Sequence, residues 1–195
     1  MIPKRLLGDN LALGQHFVLQ LILCGLAALV VLIVVRFEHL PLRSIGLQKA
    51  TWSTLATAAL LIVFAFVLQP RLTAPLVKLW GASGRDAGVA MIASWPAWFR
   101  LFVAVTSGIV EETLYRGYAV ERLIAVTGRT WLGAALAMLA FGVAHIPAWG
   151  AGFALTNDLA AGIVLVLVYI WRRDLIANIL AHTAGLIIGL FAIPL

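Results

Sequence analysis

Six long apolar runs dominate this sequence and decide what it can fold into. They occupy residues 17–35, 52–69, 88–110, 131–145, 153–171 and 175–193. Hydrophobic residues make up 63% of the 195 residues and charged residues only 11%. In a soluble domain about 45–50% of the residues are apolar and about 25% are charged. A chain this short cannot hide so much apolar surface from water. Because a spanning helix takes about 20 residues, the runs predict about six spans in a lipid bilayer.

Each run is predicted to be a helix, because lipid cannot satisfy free backbone groups and no run alternates like a barrel strand. Pro96 is expected to divide or kink the third run, since proline lacks a backbone donor. Pro147 is expected to end the fourth helix just after His145. The chain contains no repeat, low-complexity tract or linker. Residues 1–195 are therefore predicted to form one all-α transmembrane bundle that encloses a polar cavity, with a motif-bearing core at about 88–195.

The basic residues lie mainly in short stretches between the runs. These predicted connections cover residues 36–50, 70–86, 116–130 and 172–174. In a soluble protein the net charge of +6 would suggest nucleic acid as a partner. In a membrane protein, Lys and Arg in short connections set the orientation of the spans. The expected partners are therefore the lipid bilayer and a membrane-associated protein or peptide, and no nucleic acid.

Ionisable residues within the runs carry the most information, because they are costly in lipid and mark functional sites by default. Glu111 and Glu112 end the third run, and Arg116 follows one helical turn after Glu112. Side chains four residues apart on a helix can pair, so Glu112 and Arg116 are expected to form an ion pair. Glu111 then remains free to hold a water molecule. A simple salt bridge at a helix end would also explain this motif.

Two histidines accompany the carboxylates on later helices. His145 lies one turn after Phe141, and His182 lies one turn after Asn178 inside the last run. There are also purely structural explanations. His145 would lie at the membrane interface, and Asn178 and His182 would form hydrogen bonds between helices. If the helices converge, the carboxylate of Glu111 can activate water and the imidazoles can stabilise an oxyanion. The same groups also suit a divalent metal with an open position, and spacing alone does not separate these possibilities.

At these residues the chain resembles the CAAX prenyl protease and bacteriocin-processing (CPBP, Abi) family of intramembrane glutamate proteases. The family's motif Glu-Glu-x-x-x-Arg is complete at 111–116, and its motif Phe-x-x-x-His is complete at 141–145. The third motif begins at His182. The order and separation of the three motifs also match, and the resemblance covers roughly residue 99 to the C-terminus.

The resemblance implies a role for each matching residue. Glu111 would activate the attacking water, with Glu112 and Arg116 shaping the site and Arg116 available to a substrate carboxylate or carbonyl. His145 would position the water, and His182 would stabilise the oxyanion. The family's eukaryotic and archaeal members remove the last three residues of prenylated proteins, and bacterial members are linked to bacteriocin maturation or self-immunity. An integral protein of a prokaryotic cell membrane, acting without cofactor or metal, is expected.

One position departs from the family pattern. The family has Asn or Asp four residues after the last histidine, and this chain has Leu186. Because leucine has no hydrogen-bond donor, Asn178, one turn to the other side of His182, is the candidate for oxyanion support, ahead of Thr183 and Asp158. Two alternatives to a glutamate-dependent protease follow: a non-catalytic immunity or scaffold protein with a degraded site, and a metal-dependent protease that uses the same residues.

Overall fold

The computed structural model describes residues 13–80 and 83–192, and within these ranges the chain forms seven α-helices, one short 3₁₀-helix at Leu42–Ile45 and no strand. The α-helices are α1 (Leu13–Phe37), α2 (Trp52–Leu79), α3 (Ser83–Ala93), α4 (97–127), α5 (Thr130–Trp149), α6 (Ala151–Arg172) and α7 (Leu175–Phe191). Helices α1, α2, α5 and α6 are long and apolar enough to cross a membrane, and α7 is a shorter apolar helix. The predicted all-α membrane bundle is confirmed, with four to six spans.

Apolar side chains cover the outside of the bundle. In α1 and α2, only 22% of the most apolar window lies inside the bundle. Leu60 and Leu72 on α2, for example, are largely exposed. A soluble protein rarely leaves such large apolar patches in contact with water. The exposed face is therefore the face that meets lipid, and the polar side chains that α4, α6 and α7 carry are turned inward.

Two of the predicted connections are wrong. The segment predicted as the connection 70–86 is helical up to Leu79, because α2 continues through Pro70 and Pro75 after a wider π-helical turn at Phe64–Leu68. Such turns relax the hydrogen-bond ladder around residues that cannot donate. The segment predicted as the connection 116–130 is helical up to Thr127. Arg116, Glu121 and Arg122 in this segment pair with side chains of the same or other elements and so do not require a loop.

The two proline predictions have different outcomes. Pro96 does separate two helices, since α3 ends at Ala93 and Pro96 caps the start of α4. Pro147, however, lies inside α5, which runs on to Trp149. A proline beyond the first turn removes a backbone hydrogen bond, and α5 extends only two residues past Pro147. The helix ends at Gly150, whose φ of 75° and ψ of 156° suit glycine and break the helical path.

The link between α6 and α7 fixes where α7 begins. The predicted tight connection at 172–174 is confirmed, and Arg173 reverses the chain with a φ of 51°. Asp174 caps α7, because its Oδ1 accepts from the backbone N–H of Ala177 at 3.1 Å and its Oδ2 accepts from Thr54 Oγ1 at 2.7 Å. The N–H of Leu175 donates to the carbonyl of Gly46 at 2.9 Å. These contacts set the register of the helix that carries Asn178 and His182.

Candidate active site

A fully buried carboxylate lies at the centre of the polar site. Glu112 is 0% exposed, and Arg116 donates to its Oε1 at 2.9 Å from one turn further along α4. Two donors from α7 complete its surroundings: His182 Nδ1 lies 2.8 Å from Oε1, and Asn178 Nδ2 lies 3.1 Å from Oε2. The predicted pair of Glu112 and Arg116 is confirmed, as are polar partners between helices for Asn178 and His182. Glu112 therefore ties α4 to α7.

Arg116 lies beneath this carboxylate and is itself almost completely buried. Its guanidinium carbon lies 4.2 Å from the centre of the Phe141 ring, an attractive cation–π geometry. Gly162 on α6 makes room for this arrangement, because a Cβ there would lie 3.1 Å from Arg116 Nη2 and 2.4 Å from Met138 Cε. The side chain thus faces Glu112 and Phe141 inside the bundle.

A second, partly accessible group lies beside the first. Glu111 Oε2 is 3.5 Å from His145 Nε2 and 3.8 Å from His182 Nε2. The side chains of Glu111, His145 and His182 are 24%, 13% and 16% exposed, whereas those of Glu112 and Arg116 are 0% and 1% exposed. The structure therefore brings the three predicted groups together in an accessible layer. His182 joins that layer to the buried layer of Glu112, Arg116 and Asn178.

Both imidazoles are held through Nδ1 and turn Nε2 toward Glu111. His145 Nδ1 lies 2.8 Å from the carbonyl of Phe141, which can only accept, so this nitrogen carries the proton. His182 Nδ1 lies 2.8 Å from Glu112 Oε1 and donates to that carboxylate in the same way. Hydrogen bonds of this kind fix the tautomer and the orientation of a ring. The site thus presents one carboxylate oxygen and two ring nitrogens to a common space.

A close contact between α4 and α7 explains why the side chain of Glu112 is buried and that of Glu111 is partly exposed. Gly108 lies one turn before Glu112, and a Cβ at this position would be 2.2 Å from Thr183 Oγ1 and 2.9 Å from the backbone nitrogen of Thr183. The missing side chain lets the two helices approach at this level, next to His182. Successive residues on an α-helix are turned by roughly 100°, so Glu112 points into the contact while Glu111 points past it.

Asn178 and Leu186 do not face the accessible layer in the way the sequence pattern suggests. Asn178 is fully buried, and its Nδ2 donates both to Glu112 and to the carbonyl of Leu165, at 2.9 Å. Leu186 packs with other apolar side chains around Ile92 and Ala104. The amide of Asn178 is therefore committed to holding Glu112, and the side chain of Leu186 belongs to an apolar cluster.

Asp158, which the motifs do not include, is a further acidic residue near the site. It lies at the end of a π-helical turn, Ala154–Asp158, at the start of α6, and is close enough to interact electrostatically with His145, Glu111 and His182. An acid within an apolar run is the sequence signal that makes it a candidate. Tyr115 also borders the site, with its ring edge-on to Phe141 at 5.2 Å between centroids.

Among residues 13–80 and 83–192, no group of three or more His, Cys, Asp or Glu side chains is arranged to hold a metal ion.

Fold and site together define an integral membrane protein with a Glu–His–His cluster inside a helical bundle. Comparison with known proteins finds a family match: residues 93–187 match the family model described as type II CAAX prenyl endopeptidase Rce1-like. The matched segment contains all six residues predicted for the site. This segment, just under half of the chain, is similar to the Rce1-like domain, and the similarity supports a CAAX-type intramembrane protease in general. No curated protein and no solved structure matches the chain.

Proposed function

We propose that this protein is an intramembrane endopeptidase that hydrolyses a peptide bond of a membrane-associated protein or peptide. The proposal depends most on one observation: Glu111 Oε2 lies within 3.5–3.8 Å of two Nε2 atoms, in a partly accessible layer supported by a buried one. A water molecule bound there would contact a base and lie beside imidazoles that can act on the attacked carbonyl. The family match supports the same class of reaction.

In the proposed reaction, Glu111 takes a proton from the bound water, and the hydroxide oxygen attacks the carbonyl carbon of the substrate. The carbonyl π electrons move to the oxygen, and His182 donates a hydrogen bond to the oxyanion through Nε2. Glu112 on Nδ1 stabilises the imidazolium form that this donation requires. The oxyanion then re-forms the carbonyl and expels the amine, which receives the proton held by Glu111. Water has been added across the amide bond, and no oxidant or cofactor is consumed.

The remaining site residues have supporting roles in this proposal. His145 positions the water, since its Nδ1 is fixed on the carbonyl of Phe141 and its Nε2 faces Glu111. Arg116 and Asn178 hold Glu112, which in turn orients His182. A positioning role replaces the assignment of Asn178 as a direct donor to the oxyanion, because its amide hydrogens are already used. The expected location is the cell membrane of a prokaryote.

The test is cleavage of a farnesylated peptide with a CAAX terminus by the full chain in liposomes. The wild type is expected to release the last three residues. Glu111→Gln is expected to lower kcat by about 10²–10⁴-fold, the usual contribution of a general base. Glu121→Gln is the matched control, because Glu121 pairs with Arg173 and Tyr169 away from the site. Full activity in Glu111→Gln would refute the role of Glu111.

A metal-dependent reaction on the same residues predicts a different response to chelators. With Glu111 acting directly on water, cleavage is expected to continue unchanged after incubation with EDTA and 1,10-phenanthroline. If activity is lost and then restored by added Zn²⁺, the metal alternative replaces the glutamate mechanism.

Leu186 favours the second candidate, a non-catalytic membrane protein with a degraded site. Leu186→Asn distinguishes the two. If the wild type is inactive on the farnesylated peptide and Leu186→Asn gains cleavage that depends on Glu111, the degraded-site candidate is supported. If the wild type is active, Leu186→Asn is expected only to weaken the apolar cluster around Ile92 and Ala104.

A further inference from the structure

A shallow groove lies on the outer surface of the bundle, between the start of α5 and the end of α6. Thr130 and Trp131 line it from α5, and Leu167, Ile170 and Trp171 line it from α6. The three residues of α6 share one face, because side chains three and four residues apart are neighbours on a helix. The groove has a volume of about 360 Å³, within the range of ligand sites, about 300–1,000 Å³. It shares no lining residue with the candidate active site.

The groove lies at the end of the bundle where exposed tryptophans gather. Trp131 and Trp171 border it, and Trp52 lies at the same end, since its neighbour Ser53 accepts a hydrogen bond from Arg172 at 2.8 Å. All three tryptophans are largely exposed. Tryptophans of membrane proteins are enriched at the level of the lipid headgroups. The groove therefore begins at the headgroup level and continues along α6 into the acyl-chain region.

Two arginines, Arg129 and Arg172, flank the polar end of the groove. Arg129 directly precedes the lining of α5, is exposed, and forms no side-chain hydrogen bond or ion pair among the described residues. The guanidinium carbon of Arg172 lies 5.6 Å from the centre of the Trp171 ring, so this charge stands at the groove. Its contact with Asp174 is long, at 4.0 Å, and both oxygens of Asp174 already accept from other groups.

Two other arginines at this end of the bundle are neutralised within the protein. Arg122 and Arg173 each pair with a glutamate, whereas Arg129 and Arg172 retain most of their charge beside an apolar groove. Such a groove complements a ligand with a negative head and an apolar tail. Basic pockets between spans at the cytoplasmic side bind anionic lipid headgroups, and basic connections between spans mark that side.

We propose that the groove between α5 and α6 binds one anionic phospholipid, with its phosphate at Arg129 and Arg172 and one acyl chain along Trp131 and Leu167. Guanidinium groups suit a phosphate because they present several N–H donors in a fixed plane. A lipid in this position would join the start of α5 to the end of α6. Because it binds the folded bundle, it would also stabilise the protein. The site goes beyond the proposed protease reaction and does not depend on it.

The first experiment measures lipid binding to the full chain in detergent by native mass spectrometry. Phosphatidylglycerol and phosphatidylcholine with the same acyl chains are compared. The wild type is expected to bind one phosphatidylglycerol about 25-fold more tightly, since each arginine near a membrane surface contributes about 5-fold. Arg129→Gln/Arg172→Gln should bind the two lipids alike. Arg43→Gln is the matched control, because Arg43 is exposed but does not line the groove. Equal binding of the two lipids by the wild type, or an equal loss in the control, would overturn the proposal.

A second variant tests the groove rather than its charge. Leu167→Trp fills the groove from an exposed position on α6 and leaves both arginines in place. It is expected to lose the tightly bound phosphatidylglycerol, while its melting temperature without added lipid stays that of the wild type. Unchanged lipid binding in Leu167→Trp would refute the groove as the site. A lipid-free dimer that dissociates in this variant would assign the groove to a second copy of the chain and would also refute the proposal.

The last experiment locates the lipid in a bilayer. Phosphatidylglycerol with brominated acyl chains quenches tryptophan fluorescence on contact. In phosphatidylcholine liposomes, a small fraction of the brominated lipid is expected to quench the wild type in a saturable way. Trp131→Phe/Trp171→Phe should remove the saturable part, and Trp52→Phe, the control, should keep it. Quenching of the wild type that only follows the mole fraction of brominated lipid would show an ordinary solvent contact and contradict a specific site.

Discussion

Glu111 and Glu112 are neighbours in the sequence but occupy different environments. Glu112 is completely buried among Arg116, His182 and Asn178, whereas Glu111 is partly accessible between two imidazoles. Buried charges are tolerated where they are paired and hydrogen-bonded. The buried glutamate therefore supports the structure, and the accessible one is free for chemistry.

This difference predicts that the same substitution destabilises the protein far more at Glu112 than at Glu111. Glu112→Gln leaves Arg116 buried beside a neutral amide, and breaking a buried pair costs about 3–5 kcal/mol. Glu111→Gln removes only a partly exposed interaction and is expected to cost less than about 1 kcal/mol. Thermal unfolding in detergent, followed by circular dichroism, measures both. Similar melting temperatures for the two variants would contradict the division into a buried and an accessible layer.

At the scale of the helices, the contact between α4 and α7 brings the two layers together. Gly108 permits this contact, since a Cβ there would overlap Thr183 next to His182. The contact lies one turn before Glu112, so a small change in helix separation would move the carboxylates relative to the imidazoles.

Gly108→Ala is therefore expected to destabilise the protein by about 1–3 kcal/mol, as overpacking does, and to lower activity. Gly185→Ala on α7 is the matched control, because a Cβ at Gly185 meets nothing within 4 Å. Replacing a helical glycine without a steric conflict should instead stabilise by about 0.5–1 kcal/mol. Melting temperatures of the two variants provide the test. Equal effects would show that the helix contact does not depend on Gly108.

The end of α1 is joined to α4 by a polar contact outside the predicted spans. The guanidinium of Arg122 donates to both carboxylate oxygens of Glu38, and Tyr118 donates to one of them at 3.3 Å. The hydrogen bonds from Arg122 hold the pKa of Glu38 below its usual value. The folded protein therefore binds a proton at Glu38 less readily than the unfolded chain does.

This shift gives a contribution to stability that is present at neutral pH. It is lost as the pH falls through the lowered pKa of Glu38, because the carboxylate is then protonated in both states. Glu38→Gln is expected to lower stability by about 0.2–1 kcal/mol at pH 7, the range of partly exposed pairs. The difference from the wild type should disappear in acid. Unfolding curves from pH 7 to pH 3 measure this difference in stability between Glu38→Gln and the wild type. A difference that does not change with pH would show that the Glu38 carboxylate does not cause it.

The sequence was sufficient to predict the bundle and the Glu112–Arg116 pair, whereas a shared site for Glu111 and both histidines was implied by the family resemblance. The rest depends on tertiary contacts that a linear pattern does not contain. The charged residues after Arg116 suggested a loop, yet they continue α4 because side chains of other elements pair with them, such as Glu38 with Arg122. Asn178 was predicted to lie near the oxyanion, but the carbonyl of Leu165 and Glu112 take its donors.

At the scale of the whole molecule, the bilayer acts as the solvent, and several helices contribute polar groups to the candidate site. Helix α4 supplies the carboxylates, α5 and α7 supply one histidine each, and α6 supplies Asp158. This distribution over four helices makes the site a property of the assembled bundle. Residues that act as one unit in catalysis show strongly non-additive effects on the rate when they are removed together.

The most direct test of the central claim is a double-variant cycle on cleavage of the farnesylated peptide. The kcat/KM values of the wild type, Glu111→Gln, His145→Ala and the double variant are compared in the same liposomes. If Glu111 and His145 act on one water molecule, the double variant is expected to be about as slow as Glu111→Gln alone. If the two losses instead multiply, Glu111 and His145 act independently, and the shared site proposed for this protein is contradicted.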